Sequence, residues 1–468
     1  MVDELWRESA SSLAELIRRG EVTSREVARA HLGRIEEVNS ALNAVVEVRE
    51  SEVLEAADAA DAHQRSGGSL GVLHGVPFTV KTNLDVSGYA TTQGTAAYRD
   101  VVATRDAPIV ERLRAAGAVV LARTNMPDLG LRVNTESSLY GATHNPWRHG
   151  VTAGGSSGGD AAALAAGMSP LGLGNDIGGS LRNPAYCCGV ASLKPSRGRI
   201  PRGNPSALDL PPLNSQIMAV DGLLARRVGD LREALSVVAG AHQNDPLSLD
   251  VALRGAPVAR RVALVAEPEG GATDPAIAEG VRAAGRALAA AGYEVEQIAP
   301  PLLSECYVNW GELMWTSLRV IRSRLEAVMG PDARRYLELT DVEFAPVSGP
   351  SQALMHETRF RIARAWRQFF TTYPLVVGPT WTQPPFPLGA DVVDREGAWR
   401  VVEMCRFVLP ANLLGLPVAC VATGLNDGLP TGVQVIGDRF REDLCLDAAD
   451  VIEHSLGVLT PIDPRGPS

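Results

Sequence analysis

The stretch that decides how this chain is interpreted is Gly172-Leu-Gly-Asn-Asp-Ile-Gly-Gly-Ser-Leu-Arg-Asn-Pro184, in which one serine, Ser180, follows paired glycines. A second glycine-rich stretch, Gly154-Gly-Ser-Ser-Gly-Gly-Asp160, lies just upstream, and neither stretch contains a histidine. A serine that attacks a carbonyl needs a base within hydrogen-bond reach and backbone N–H groups directed at the developing oxyanion. The run Ile177-Gly-Gly-Ser180 can supply those N–H groups, because glycines let the backbone approach a ligand closely. Ser180 is therefore the candidate nucleophile.

The candidate base is a lysine at the end of a predicted strand. The run Gly75-Val-Pro-Phe-Thr-Val80 is short and apolar, which is typical of a buried strand, and it leads directly into Lys81. Open α/β sheets bind their ligands at the carboxyl ends of the strands. A lysine can act as a base at neutral pH when burial lowers its pKa, since desolvation disfavours the ammonium. We expect apolar and glycine-rich surroundings for Lys81, with no carboxylate next to it.

Length, charge and cysteine content restrict the class of protein. The chain has 468 residues and a net charge of −10, which argues against a nucleic acid or an anionic membrane surface as a partner. The N-terminus has no signal-peptide pattern, and no run reaches the about 18 apolar residues that a membrane span needs. The cysteines lie in apolar runs without a C-x-x-C pair, as is typical of reduced core residues: Cys187, Cys188, Cys306, Cys405, Cys420 and Cys445. These features predict a soluble, cytoplasmic protein.

Helix and strand patterns alternate along the chain. Two amphipathic helices are predicted within residues 9–48. A helix from Asp106 to Ala116 followed by an apolar strand at 118–122 indicates a βαβ unit, and residues 262–298 repeat the pattern. The alternation predicts a largely parallel sheet in one α/β domain that spans residues 1–468.

Other glycine-rich motifs fit less well. The third glycine of a dinucleotide-binding fingerprint is missing after Gly174, and no lysine stands where a P-loop requires one. The run Gly154-Gly-Ser-Ser-Gly158 does fit the G-x-S-x-G elbow of α/β-hydrolases, which would make Ser156 the nucleophile and require a later histidine. His356 and His454 follow far enough along the chain. The helical pattern around His454 is more typical of a surface histidine.

Three motifs taken together resemble the amidase signature family, whose catalytic triad is Ser–cis-Ser–Lys. The lysine of the family follows a short apolar strand, as Lys81 does. Its relay serine is the first serine of GGSSGG, here Ser156, and its nucleophile is the serine of D-x-G-G-S-x-R-x-P-A, here Ser180. Similarity covers nearly the whole chain. It implies a single large α/β/α domain with a mixed central sheet and a signature core at about 70–220.

The resemblance also implies a role for each residue around the triad. The peptide bond between Gly155 and Ser156 is expected to be cis. The oxyanion hole is expected to consist of the N–H groups of Ile177, Gly178, Gly179 and Ser180. Supporting hydrogen bonds and ion pairs are expected from Ser157, Asp176 and Arg182. Three positions depart from the common family pattern, namely Thr82, Asn175 and Asp160.

The expected function is hydrolysis of a linear carboxylic amide through an acyl-enzyme on Ser180, with Ser156 as proton relay and Lys81 as base. No metal or organic cofactor is implied, and the partner is a small-molecule amide, with a homodimer as a further expectation. One alternative is an amidotransferase A-like subunit that releases ammonia for a partner protein. Less favoured alternatives are an α/β-hydrolase-type esterase and a catalytically inactive binding module of the same fold.

The sequence does not specify the acyl or amine part of the substrate. The segments without family similarity, about 200–215, 300–350 and 380–400, are expected to face the substrate. Tyr307, Trp310 and Trp315 lie at roughly helical spacing, which is more typical of core packing than of a pocket wall.

Overall fold

A mixed sheet forms the centre of the protein in a computed structural model that describes residues 2–206, 211–341 and 349–466. Residues 207–210 and 342–348, which belong to two of the segments expected to face the substrate, lie outside these ranges. The strands are β1 (Val45–Glu47), β2 (Pro77–Lys81), β3 (Val119–Thr124), β4 (Glu136–Ser137), β5 (Gly141–Ala142), β6 (His144–Asn145), β7 (Arg148–Thr152), β8 (Leu171–Asp176), β9 (Ala191–Lys194), β10 (Val220–Ala225), β11 (Arg261–Leu264), β12 (Glu294–Gln297), β13 (Leu375–Pro379), β14 (Val418–Asn426) and β15 (Leu429–Gly437). Among the described residues the central sheet has 11 strands in the order β1-β3-β2-β8-β10-β9-β14-β15-β13-β11-β12. Two small ribbons pair β4 with β5 and β6 with β7.

Helices cover both faces of this sheet. They are α1 (Ala10–Arg18), α2 (Ser24–Leu42), α3 (Glu50–Arg65), α4 (Pro108–Ala115), α5 (Gly158–Ala165), α6 (Arg182–Cys188), α7 (Leu213–Met218), α8 (Val228–Val238), α9 (Pro275–Ala290), α10 (Leu303–Val328), α11 (Pro331–Thr340), α12 (Gly349–Phe370), α13 (Arg395–Met404), α14 (Leu409–Leu414) and α15 (Glu442–Leu456). The expected α/β/α arrangement with a mixed central sheet is confirmed. No helix in the described ranges is both long and apolar enough for a membrane span.

Strand directions differ in part from the prediction made from the alternating pattern. Helix α4 connects the parallel strands β2 and β3, and α9 connects the parallel strands β11 and β12, so both predicted βαβ units are confirmed. In the middle of the sheet the strands lie in the order β8-β10-β9-β14-β15-β13, and each neighbouring pair in this series is antiparallel. The prediction of a largely parallel sheet was therefore wrong. Pairings between strands far apart in the chain leave no local helix–strand signal.

Element boundaries follow the local chemistry. Thr23 caps α2 through a capping box with Glu26. The helix expected to begin at Asp106 begins two residues later at Pro108, because proline suits the first turn of a helix and Asp106 instead accepts a hydrogen bond from the Ser87 N–H.

Alternation along the strands separates two hydrophobic clusters on opposite faces of the sheet. In β2, Phe78 and Val80 pack into the cluster that also contains α4, α8 and α15 residues. Successive strand residues point to opposite faces, so Thr79 and Lys81 face the other cluster, which contains α5, α6 and α10 residues. The parallel strands β2 and β8 end at the same edge of the sheet. This geometry brings Lys81 toward the glycine-rich turns before α5 and α6.

Candidate active site

Lys81 is the last residue of β2, and its side chain is fully buried. Its Nζ lies 2.7 Å from Ser156 Oγ. Nζ also donates to Ser157 Oγ at 3.0 Å and to Asn175 Oδ1 at 2.8 Å. Three oxygen atoms therefore surround the amine, and one of them belongs to the serine expected to relay protons.

Ser156 and Ser157 lie in the turn that begins α5. The Gly155–Ser156 peptide bond is cis, as the family resemblance implies. A Cβ on Gly155 would lie 2.6 Å from the carbonyl carbon of Val133, so only glycine fits between this turn and the neighbouring backbone. Close packing of the turn directs the Ser156 hydroxyl at Lys81.

Ser180 lies between the end of β8 and the start of α6, and it is 7% exposed. Its carbonyl accepts a hydrogen bond of 3.2 Å from the Ser157 N–H, which ties the two glycine-rich turns together. Ser180 also lines the same cavity as Ser156. The structure thus brings Lys81, Ser156 and Ser180 into one site, although they come from three separate segments.

A buried ion pair holds the turn that carries Ser180. Arg182 Nε donates to Asp176 Oδ2 at 3.0 Å, and Arg182 also donates to the carbonyl of Val408 and to Gln434 Oε1. The Arg182 guanidinium, hydrogen bonds and Lys194 together outweigh desolvation, and they hold the pKa of Asp176 well below its usual range. Asp176 is therefore a permanent anion around which the turn is built.

The four backbone N–H groups expected to bind an oxyanion are not equivalent. Gly179 N donates to Asp176 Oδ1 at 2.8 Å, so its hydrogen is directed at that carboxylate. The described residues include no acceptor for the N–H groups of Ile177, Gly178 and Ser180. These three remain available to an oxyanion in the cavity.

Burial lowers the pKa of Lys81 from 10.5 to about 7, because desolvation penalises the ammonium. Asp160, Asp176 and Asp221 act in the opposite direction and raise it. Among the described residues, Nζ contacts no carboxylate directly, so these three carboxylates act on Lys81 from beyond hydrogen-bond distance. Asp160 is itself fully buried, where it accepts hydrogen bonds from Thr79 Oγ1 and Thr124 Oγ1, and desolvation raises its pKa.

A cavity of about 380 Å³ opens onto Ser156 and Ser180. Its walls are largely aromatic and aliphatic, with Leu129, Leu131, Val133, Ile177, Tyr307, Trp310, Met314, Trp315, Leu318, Ile321, Leu325, Tyr336, Leu337, Trp399 and Val402. Many of these residues come from α10 and α11, within the segment 300–350 that was expected to face the substrate. Tyr307, Trp310 and Trp315 pack against hydrophobic clusters as expected, but all three also line the cavity, so the choice of core packing over a pocket wall was wrong. A helix can bury one face against the core and present another to a cavity, and spacing alone does not distinguish the two.

The remaining expectations concern histidine, cysteine and metal ligands. His454 lies on α15 with 78% of its side chain exposed, and its Nδ1 pairs with the carbonyl of Asp450 within the same helix. His356 lies on α12, and neither histidine lines the cavity that contains Ser156, so neither is placed to act as its base and the nucleophile-elbow alternative is removed. All six cysteines are buried and unpaired. Within the described ranges, no group of three or more His, Cys, Asp or Glu side chains is placed to bind a metal ion.

Three residues that shape the site had no assigned role in the sequence. Asn175 and Asp160 were noticed only as departures from the family pattern, and Trp310 was assigned to the core. Asn175 contacts Lys81, Asp160 acts on its charge, and Trp310 Nε1 donates to the Ile177 carbonyl at 3.0 Å. For Asn175 and Asp160, the difference from the common family pattern was the one feature of the sequence that pointed to a role in the site.

Comparison with known proteins agrees with this geometry. A family model described as Amidase matches residues 26–446. The chain belongs to the amidase family. An indoleacetamide hydrolase of Bradyrhizobium diazoefficiens is 40% identical over 474 residues, which cover 97% of this chain and 88% of that protein. A glutamyl-tRNA(Gln) amidotransferase polypeptide of Salinispora arenicola is 33% identical, with 97% of this chain and 98% of that protein covered.

Among solved structures, a 6-aminohexanoate cyclic dimer hydrolase complexed with substrate superposes on this amidase with a TM-score of 0.85 at 29% identity. The match covers 99% of both chains. The family and its hydrolase members establish that this amidase is a serine amidohydrolase.

Proposed function

We propose that this amidase hydrolyses the linear primary amide of an arylacetic acid, with indole-3-acetamide as the first substrate to test. The observation that carries the proposal is the aromatic and aliphatic cavity that ends at Ser180. Apolar walls of this kind favour a flat aromatic acyl group through burial and ring stacking. The indoleacetamide hydrolase at 40% identity supports the same substrate class.

The charged groups that reach the cavity support a neutral substrate. Arg132 makes two hydrogen bonds of 2.8 Å to the buried carboxylate of Asp391. Arg202 lies 3.6 Å from Asp221. Arg132 is hydrogen-bonded to its carboxylate and Arg202 has a carboxylate within ion-pair distance, so each guanidinium already has a counter-charge beside it. This favours an arylacetamide over glutamine.

The geometry supports a relay for acylation. Neutral Lys81 donates to Ser157 and Asn175 and directs its lone pair at the Ser156 hydroxyl. Lys81 takes the Ser156 proton while Ser156 takes the proton of Ser180, whose Oγ bonds to the amide carbon. The N–H groups of Ile177, Gly178 and Ser180 stabilise the negative charge that develops on the carbonyl oxygen.

Breakdown of the tetrahedral intermediate uses the same groups in reverse. The relay returns the proton to the leaving nitrogen, the C–N bond breaks, and ammonia departs. Water then attacks the Ser180 ester, again with Lys81 and Ser156 accepting its proton, and releases the carboxylic acid. The resting enzyme is regenerated without an external reactant other than water.

We also propose that the enzyme acts without an amidotransferase partner, either alone or as a homodimer. The test is incubation of the purified protein with indole-3-acetamide, with ammonia and indole-3-acetic acid measured as products. Glutamine and the 6-aminohexanoate cyclic dimer serve as competing substrates, and Ser180→Ala serves as the inactive control. The proposal predicts the highest kcat/KM for the arylacetamide. Faster hydrolysis of the cyclic dimer or of glutamine would overturn it.

A further inference from the structure

We propose that Trp310 is a positioning residue that aims the Gly178 N–H at the oxyanion. This inference rests on the proposed function, because it takes Ser180 as the nucleophile and the 177–180 loop as the oxyanion hole. Trp310 lies on α10, far along the chain from the loop, and its Nε1 donates to the Ile177 carbonyl at 3.0 Å.

The Ile177 carbonyl and the Gly178 N–H belong to one peptide unit. In a planar trans peptide these two groups point in opposite directions, so holding the carbonyl from one side directs the N–H to the other. The hydrogen bond also polarises the unit and makes its N–H a stronger donor. An oxyanion donor contributes most when it is oriented before the reaction begins.

The indole ring also packs directly on the loop. A Cβ added to Gly178 would lie 2.9 Å from Cζ2 of Trp310, so the absence of a side chain at Gly178 allows this contact. The Asp176 carboxylate accepts hydrogen bonds from the N–H groups of Gly179 and Leu181 at 2.8 and 3.1 Å. Two side chains therefore hold the loop. Asp176 binds the later residues of the loop, and Trp310 binds the first peptide unit of the loop.

Helix α10 is itself anchored beside Trp310. The neighbouring residue Asn309 is 1% exposed, and its Nδ2 donates to the Met355 carbonyl at 3.0 Å. The Trp310 ring also lines the substrate cavity. One side chain thus connects the wall that receives the acyl group with the donor that stabilises its transition state.

The experiment compares Trp310→Phe with Trp366→Phe as a matched control. Trp366 is a buried tryptophan of α12 that does not line the cavity. The first readout is the rate at which a small alkyl fluorophosphonate labels Ser180, because this reaction also develops charge on an oxygen in the oxyanion hole and does not depend on the natural substrate. The second readout is kcat and KM for indole-3-acetamide. Replacement of residue 310 by 3-benzothienylalanine, which keeps the shape and removes only the N–H, covers the case in which Trp310→Phe fails to fold.

We expect Trp310→Phe and the benzothienylalanine variant to lower both the labelling rate and kcat about tenfold, with KM changed less than threefold. Trp366→Phe is expected to keep the labelling rate within twofold of the wild type. Labelling within twofold of the wild type for the benzothienylalanine variant would overturn the role of Trp310. That result would leave the proposed function intact. The proposed function is tested separately, and it fails if Ser180→Ala retains amidase activity.

Discussion

The protonation of Lys81 sets the pH range in which this amidase works. We expect kcat/KM to rise with pH through about 7 and to level off above it, because burial lowers the pKa of Lys81 from 10.5 to about 7 and only the neutral amine can accept a proton. Below that pKa the ammonium predominates, and activity should fall about tenfold for each pH unit.

The size of the effect follows from the same shift. The change in the pKa of Lys81 corresponds to about 5 kcal/mol of preference for the neutral amine, since each pKa unit is worth about 1.4 kcal/mol. An ordinary lysine at pH 7 would be neutral in only about 3 of 10,000 molecules, whereas Lys81 would be neutral in about half. Burial at the end of β2 therefore increases the population of the active base about 1,000-fold.

The assay measures kcat/KM for a neutral amide between pH about 5 and about 9, at constant ionic strength. Lys81→Met removes the base, and we expect kcat to fall by about 10³-fold or more. Lys194→Met is the matched control. Lys194 is also fully buried, and desolvation lowers its pKa to about 7, but it donates to the carbonyls of Pro195 and Leu416 instead of to a serine.

Two results would refute the assignment of the acid limb to Lys81. One is an acid limb that persists unchanged in the residual activity of Lys81→Met. The other is an acid limb that moves or disappears in Lys194→Met, which would assign the titration to the wrong lysine. A wild-type profile that keeps rising toward the ordinary lysine pKa would show that burial does not lower the pKa of Lys81 in solution.

Further predictions concern the surroundings of the triad. Asp160→Asn removes a negative charge that raises the pKa of Lys81, so the acid limb of the pH–rate profile should move to lower pH, and a move to higher pH would contradict the assignment. Arg182→Met leaves Asp176 buried without its cation and should lower the free energy of unfolding by about 3–5 kcal/mol in denaturant titrations; a loss below about 1 kcal/mol would mean that the ion pair does not brace the turn. Peptide mapping after fluorophosphonate treatment should place the adduct on Ser180 and on no other serine. Activity should survive exhaustive chelation, and loss that zinc or manganese restores would indicate metal-dependent chemistry.

Short-range sequence patterns were sufficient for much of this protein. The apolar run before Lys81, the capping box of α2 and the two helix–strand repeats depend on neighbouring residues only, and the corresponding elements form close to the expected positions. The glycine-rich motifs could be recognised for a related reason, because their backbone conformations tolerate few other residues. The Gly155 position shows this directly, since a Cβ there would collide with the Val133 backbone.

Only the tertiary structure decided which distant groups act on one another. The antiparallel pairing of the middle strands, the charge of Asp160 near Lys81 and the reach of Trp310 to the Ile177 carbonyl all join segments that are separated along the chain. Local sequence propensity does not predict such contacts, because burial, electrostatic coupling and cavity walls form only when the helices and strands pack together. The sequence by itself thus determined the elements and the reactive side chains, whereas packing determined the pKa of the base, the orientation of the oxyanion donors and the aromatic cavity.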